Sequence, residues 1–148
     1  MFRGCSSLAT PPVLPATTIA DMCYCQMFWG CTSLQSCPAL PATTLVQRCY
    51  WNMFRDCVNI TESPTLYAVT LPWACYEGMF FGCTSLQKIT LYAETVHENA
   101  STYQWLSYSS SQENTPVNNT GKIIKKRALT LPTGVSGIPS TWTVEYLD

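Results

Sequence analysis

The chain has 148 residues, with eight Lys or Arg against nine Asp or Glu, one His and a formal net charge of −1. That length supports one folding unit with a real core, and so small a net charge gives no field to gather nucleic acid or to hold an anionic membrane. Charged residues are only 11% of the chain against about 25% in ordinary domains, no stretch approaches the roughly 18 apolar residues of a membrane span, and no export signal is visible at the N-terminus.

Read from the N-terminus, the sequence repeats. The pair Met-Phe stands at Met1-Phe2, Met27-Phe28, Met53-Phe54 and Met79-Phe80, each 26 residues after the last. Each pair leads into a second block: Gly4-Cys5-Ser6-Ser7-Leu8, Gly30-Cys31-Thr32-Ser33-Leu34, Asp56-Cys57-Val58-Asn59-Ile60 and Gly82-Cys83-Thr84-Ser85-Leu86. Leu14-Pro15-Ala16-Thr17-Thr18-Ile19 recurs at Leu40–Leu45 and, degraded, at Leu66–Leu71, and Cys-Tyr follows at Cys23-Tyr24, Cys49-Tyr50 and Cys75-Tyr76. A period of this length is the mark of a solenoid, because one such unit cannot bury its own apolar face and must stack on a neighbour.

Within a unit, Ile19, Cys23 and Met27, and again Leu45, Cys49 and Met53, recur at i, i+4 and i+8, the spacing of a short helix. Thr17 or Thr18, and Thr43 or Thr44, would cap its free N–H groups, Pro72 would be tolerated in its first turn, and Gly4, Gly30 and Gly82 would end it in a left-handed C-cap. After the glycine, Leu86-Gln87-Lys88-Ile89-Thr90-Leu91 reads L-x-x-L-x-L, a short parallel strand with its apolar residues inward. Pro12, Pro38 and Pro64 remove ladder donors in the other copies, so pairing there should be short or irregular.

These residues resemble the BspA-type leucine-rich repeats of bacterial surface proteins, in the L-P-A-T-T-L, C-Y and M-F-x-G-C-T-S-L version found in gut bacteria and their phages or prophages. The resemblance covers roughly residues 1–104. Tyr103-Gln104-Trp105-Leu106, Lys122-Ile123-Ile124-Lys125 and Leu131–Val144 are similar to the terminal segment that follows such repeats. The resemblance implies an α/β fold: a leucine-rich-repeat-like right-handed solenoid of short parallel strands and short helices over residues 1–104, and a β-rich C-terminal cap over 105–148 in the same folding unit. Trp105 starts a fifth unit in register, and the Gly-Cys motif then gives way to Ser107–Ser111, as a capping unit should. The chain opens inside a unit, so either it is a fragment or another subunit, or a second copy, covers its first coil.

Seven of the nine cysteines fall in two columns, Cys5, Cys31, Cys57 and Cys83, and Cys23, Cys49 and Cys75. Stacked units turn each column into a ladder of small buried thiols. Disulfides between rungs about 4.8 Å apart are the alternative, against which stand the odd count and one-per-unit spacing. Metal binding is not expected, because Cys23-Tyr24-Cys25 supplies two close thiols and His97 lies far along the chain.

Two columns are candidate binding residues. Arg3, Trp29, Arg55 and Phe81 follow the Met-Phe pairs and form either a partner-facing stripe or a self-contained stack of cations on rings. Thr10, Ser36, Glu62 and Lys88 lie between inward-facing positions and should line the open strand face along which solenoids bind. The run Lys122–Arg127 could touch phosphate and reads better as a cap strand whose charges discourage edge pairing. Asn59-Ile60-Thr61, Asn99-Ala100-Ser101 and Asn118-Asn119-Thr120 match a glycosylation pattern, a frequent accident in a chain this rich in Asn, Thr and Ser.

No nucleophile–base pair, paired carboxylates or phosphate loop emerges, so no enzyme activity and no cofactor is expected. The expected function is a non-catalytic recognition or adhesion module binding a host protein or glycan, extracellular, at a cell surface or on a virion. The alternative is an assembly component, such as a phage part, docking through its uncapped N-terminal coil.

Overall fold

The L-x-x-L-x-L stretch forms a strand for the reason its pattern suggests. In the computed structural model, which describes residues 1–97, 99–107, 118 and 120–147, Lys88–Leu91 is extended, with Ile89 and Leu91 buried and Lys88 and Thr90 on the other face. Taking Glu62–Leu66 as β1, Thr70–Leu71 as β2, Lys88–Leu91 as β3, Thr95–Val96 as β4, Lys122–Lys126 as β5 and Thr143–Leu147 as β6, the strands form a four-stranded sheet of order β1-β3-β5-β6 and a two-stranded sheet β2-β4. Every pairing is parallel.

Proline has the expected effect. Glu62 faces Lys88, one repeat on, but Thr65 faces Thr90, so β1 carries an irregularity at Pro64. The Thr90 N–H there donates to the Ser63 hydroxyl at 3.4 Å. The copies around Pro12 and Pro38 form no assigned strand.

The predicted helices are absent. Residues 21–30, 47–56 and 73–82 are successive turns, with positive φ at Met22, Gln26 and Gly30, at Arg48, Asn52 and Asp56, and at Ala74, Gly78 and Gly82. A left-handed residue at every fourth position prevents a right-handed helix from propagating. The hydrogen bonds show what replaces it. Trp51, Met53 and Arg55 donate locally to the carbonyls of Arg48, Tyr50 and Asn52, while Tyr50, Asn52, Phe54 and Asp56 donate to Cys75, Glu77, Met79 and Phe81 in the next unit. A four-residue turn puts every fourth side chain on one face, so the i, i+4, i+8 spacing was real although its cause was not helical. Thr17, Thr18, Thr43 and Thr44 consequently cap no helix and sit exposed at bends. The predicted left-handed glycines are there, and Asp56 takes the same conformation at φ 60°. At Gly82 the requirement is double, since a Cβ there would strike the Asp56 carboxylate. The architecture is therefore short parallel strands with almost no helix, a 3-10 turn at Asn99–Thr102 being the one helical element among the described residues. No helix there is long and apolar enough to cross a membrane.

Repetition of the turn places like on like. Phe2, Phe28, Phe54 and Phe80 stack with centroids 5.6–5.7 Å apart and planes within 6°, and Tyr24, Tyr50 and Tyr76 stack at 5.8 and 6.0 Å with planes 2° and 16° apart. All nine cysteines are free. The Cys31, Cys57 and Cys83 thiols donate to the carbonyls of Phe2, Phe28 and Phe54, one unit back, at 3.0–3.1 Å. Trp105 is buried with its indole N–H on the Gly137 carbonyl at 2.8 Å. The Gln104 N–H and the Thr102 hydroxyl donate to Val135 and Ser136. Val135 thus takes the Gln104 N–H, whose counterparts at Gln26, Asn52 and Gly78 reach the next unit. The expected loss of motif at Tyr108–Ser111, and Asn119 of the third glycosylation pattern, lie outside the described residues.

Burial pushes the Cys49 and Cys57 thiols from 9.0 to about 12 and the Cys75 and Cys83 thiols well above 9.0. The unfolded chain loses these protons first, so their contribution is complete below about pH 8.5 and is lost as pH rises through about 12. Melting temperature should hold to about pH 8.5 and then fall steadily. Native thiol labelling should begin with the exposed Cys5 and Cys23, and early labelling of Cys57 or Cys83 in folded protein would contradict this packing.

Candidate functional site

Backbone bonds bring the starts of the strands together. Gln87 donates to Thr61 and Lys122 to Gln87, both at 2.8 Å, and Thr143 donates to Gly121 at 2.9 Å. The side chains at these positions line an open groove of about 610 Å³, formed by Thr61, Glu62, Gln87, Lys88, Thr120, Gly121, Lys122 and Thr143. A smaller depression of about 310 Å³ continues it through Thr61 and Glu62 to Gln35 and Ser36. Three sequence-predicted residues, Ser36, Glu62 and Lys88, therefore meet along one surface. Thr10 is exposed and lines neither hollow.

Charge along the groove is ordered. The Lys88 ammonium contacts Glu62 at 3.0 Å, and Lys122 contacts both Glu145 oxygens at 3.1 and 3.3 Å. Lys88 and Lys122 face each other in register, so the row across four strands reads Glu62, Lys88, Lys122 and Thr143, with Glu145 reaching Lys122 from two residues further along β6. Exposed pairs of this kind contribute about 0–1 kcal/mol, too little to hold the sheet; their consequence is that two adjacent lysines are oriented beside hydroxyl and amide groups. Gly121 is the low point of the wall because a Cβ there would run into the Trp142 ring, which is anchored by its indole N–H on the Asn118 carbonyl at 2.9 Å.

The Arg and aromatic column lines neither hollow. The Arg3 guanidinium lies 4.0 Å from the Trp29 centroid, and Arg55 is sandwiched between Trp29 at 4.9 Å and Phe81 at 3.9 Å. Trp29 donates to Asp56 at 3.0 Å, Arg55 to Asn52 at 3.3 Å and Arg3 to Gln26 at 2.9 Å. Of the two arrangements open to this column, these contacts are those of a self-contained stack. The buried Arg55 Nε makes no hydrogen bond, and the Asp56 oxygen 3.8 Å away is an ion-pair contact only.

Sequence reasoning missed a parallel stack. Arg48 lies 4.4 Å from the Trp73 centroid and 6.0 Å from that of Trp51. Glu77 nearby has its pKa raised by burial, against the opposing pull of the Trp51 hydrogen bond and the Arg48 charge. The 26-residue frame does not show it, because Arg48, Trp51 and Trp73 fall in three different columns, Arg48 aligning with Met22 and Ala74. The basic run needs correction: Lys122–Lys126 is indeed a strand, but it lies inside the sheet, and β6 is the edge. Lys122 and Thr143 were also missed as groove residues, since β5 and β6 come from the unrepeated tail, and so was Gln87, next to Lys88 in the repeat. Among the described residues no three His, Cys, Asp or Glu side chains gather as metal ligands. No family model, curated protein or solved structure matches the chain.

The stack around Arg55 predicts a coupling energy. A double-mutant cycle of Trp29→Ala and Arg55→Ala, read by denaturant unfolding, should return about 1 kcal/mol; additive losses would mean the ring and the cation do not act together.

Proposed function

We propose that the chain is a non-catalytic recognition module of the BspA-like, leucine-rich-repeat type, a right-handed solenoid displayed at a cell or virion surface, and that it binds a glycan along the open strand face. The observation that carries this reading is the groove from Ser36 to Thr143, continuous, open and lined by Thr61, Gln87, Thr120 and Thr143 beside the ordered charges of Glu62, Lys88 and Lys122. Such a surface offers donors and acceptors to a string of hydroxyls and few apolar anchors of the kind that dominate protein hot spots. The solenoid reading is supported by the stacked Phe and Tyr columns and by the transfer of every second N–H to the next unit.

A glycan array probed with the full chain tests this. Binding should fall about tenfold or more, roughly 1.4 kcal/mol, when Gln87 and Lys88 are both replaced by Ala, with melting unchanged, whereas Arg3→Ala, outside the groove, should bind like the parent. A uniformly blank array would remove the glycan reading.

A second reading, an assembly part docking through its first unit, is favoured by one observation: Phe2, Leu8, Ile19 and Tyr24 are only partly buried where their counterparts deeper in the chain are covered. Mass measurement in solution tests it, and a strictly monomeric protein at high concentration would count against self-docking.

A further inference from the structure

The end of the sheet farthest from the repeats is not a closed surface. In a parallel ladder successive residues face alternately toward and away from the neighbouring strand. Thr143 donates to Gly121 on the β5 side, so Val144 and Tyr146 turn their N–H and C=O groups outward, and among the described residues no strand pairs with them. Their side chains share a face with the buried Ile123 and Lys125, their register partners. Yet Val144 is 37% and Tyr146 46% exposed. Between them and the returning segment lies a hollow of about 400 Å³ walled by Leu129, Leu131, Ile138 and Trp142.

Among the described residues the charges lining this hollow all have one sign. Lys125 stands where the preceding strands carry Leu66 and Leu91, so a cation interrupts a row of core leucines. Its ammonium donates to the Leu129 and Lys126 carbonyls at 2.7 and 3.3 Å and lies 4.9 Å from the Tyr146 ring. Arg127 lies 4.3 Å from the same ring. Among the described residues no carboxylate pairs with Lys125 or Arg127, and Glu145, the acid on the neighbouring strand β6, is engaged by Lys122. Burial, and secondarily the Arg127 charge, pulls the Lys125 pKa below its ordinary value, a cost that a bound carboxylate would offset.

We propose that β6 is a strand-addition site for an extended acidic segment of a partner protein, which pairs with the outward amides and carbonyls of Val144 and Tyr146, seats apolar side chains in the hollow and sets a carboxylate against Lys125 and Arg127. An open edge supplies main-chain bonds, and pockets for alternate side chains supply selection, which is how strand addition works in general. This site is separate from the glycan groove, and its test does not depend on that reading.

The probe is a fluorescein-labelled peptide of pattern Thr-Val-Thr-Glu-Thr-Val-Thr, which presents the same Val-Glu-Val face in either strand direction. Fluorescence anisotropy with the full chain should show saturable binding, about tenfold or more weaker when Lys replaces the peptide's Glu. Val144→Pro removes one outward N–H at an edge position that tolerates proline and should weaken binding by about tenfold or more without lowering the melting temperature. Arg127→Glu, at an exposed position, should reverse the preference toward the Lys peptide, and this readout stands even if the proline variant folds poorly. No binding, equal binding of the Glu and Lys peptides, or undiminished binding by a stably folded Val144→Pro variant would each overturn the proposal. So would self-association that Val144→Pro abolishes, since the edge would then belong to a second copy.

Discussion

Everything in the repeated part of this protein depends on how the turn segments share out their amide hydrogens. One N–H in two closes a local turn and the next reaches a carbonyl one unit on. Buried amides must be paired, and here neither kind of bond suffices alone: the local bonds shape the four-residue turn, and the others fix the distance to the neighbouring unit. Because that distance is a backbone property, every side-chain column inherits it. Phenylalanine must lie on phenylalanine at 5.6–5.7 Å, and the Cys31, Cys57 and Cys83 thiols must point at the carbonyl one unit back. A substitution in one unit is therefore felt by two others.

The same constraint explains the composition. With so little charge, the repeat draws cohesion from polarizable and aromatic groups: thiols in the core, stacked rings, and guanidinium groups laid on Trp29, Phe81 and Trp73. Cation–ring contacts contribute about 0.5–1 kcal/mol when exposed and more when desolvated, and Arg55, between two rings, sits toward the desolvated end. Its side chains are engaged with one another, which leaves the exposed hydroxyl, amide and ion-paired groups of the strand face as the surface available to a ligand.

The tail solves a different problem. Residues 135–137 accept the donors of the last repeated turns, while β5 and β6 extend the sheet. The groove at Lys88 and Lys122 exists only because a repeated strand meets an unrepeated one there. The hollow beside Val144 likewise lies within the tail. Both candidate surfaces are thus products of the junction between repetition and its interruption.

Much was legible in the residues alone. Four Met-Phe pairs at one spacing, the left-handed glycines, the strand at Lys88–Leu91, the irregularity at Pro64 and the Arg-on-ring column all follow from local chemistry repeated at a constant interval, so one unit suffices to read the others. The helices were misread because i, i+4 recurrence is shared by a helix and a four-residue turn; the difference lies in whether alternate N–H groups bond within the segment or to the next unit, and only the stacked neighbour decides that. The pairing of Lys88 with Lys122 and the outward face of Val144 were beyond reach for a related reason. Their pairings join stretches with no common spacing, and parallel strand pairing is set by the closure of the whole sheet, not by any interval written along the chain.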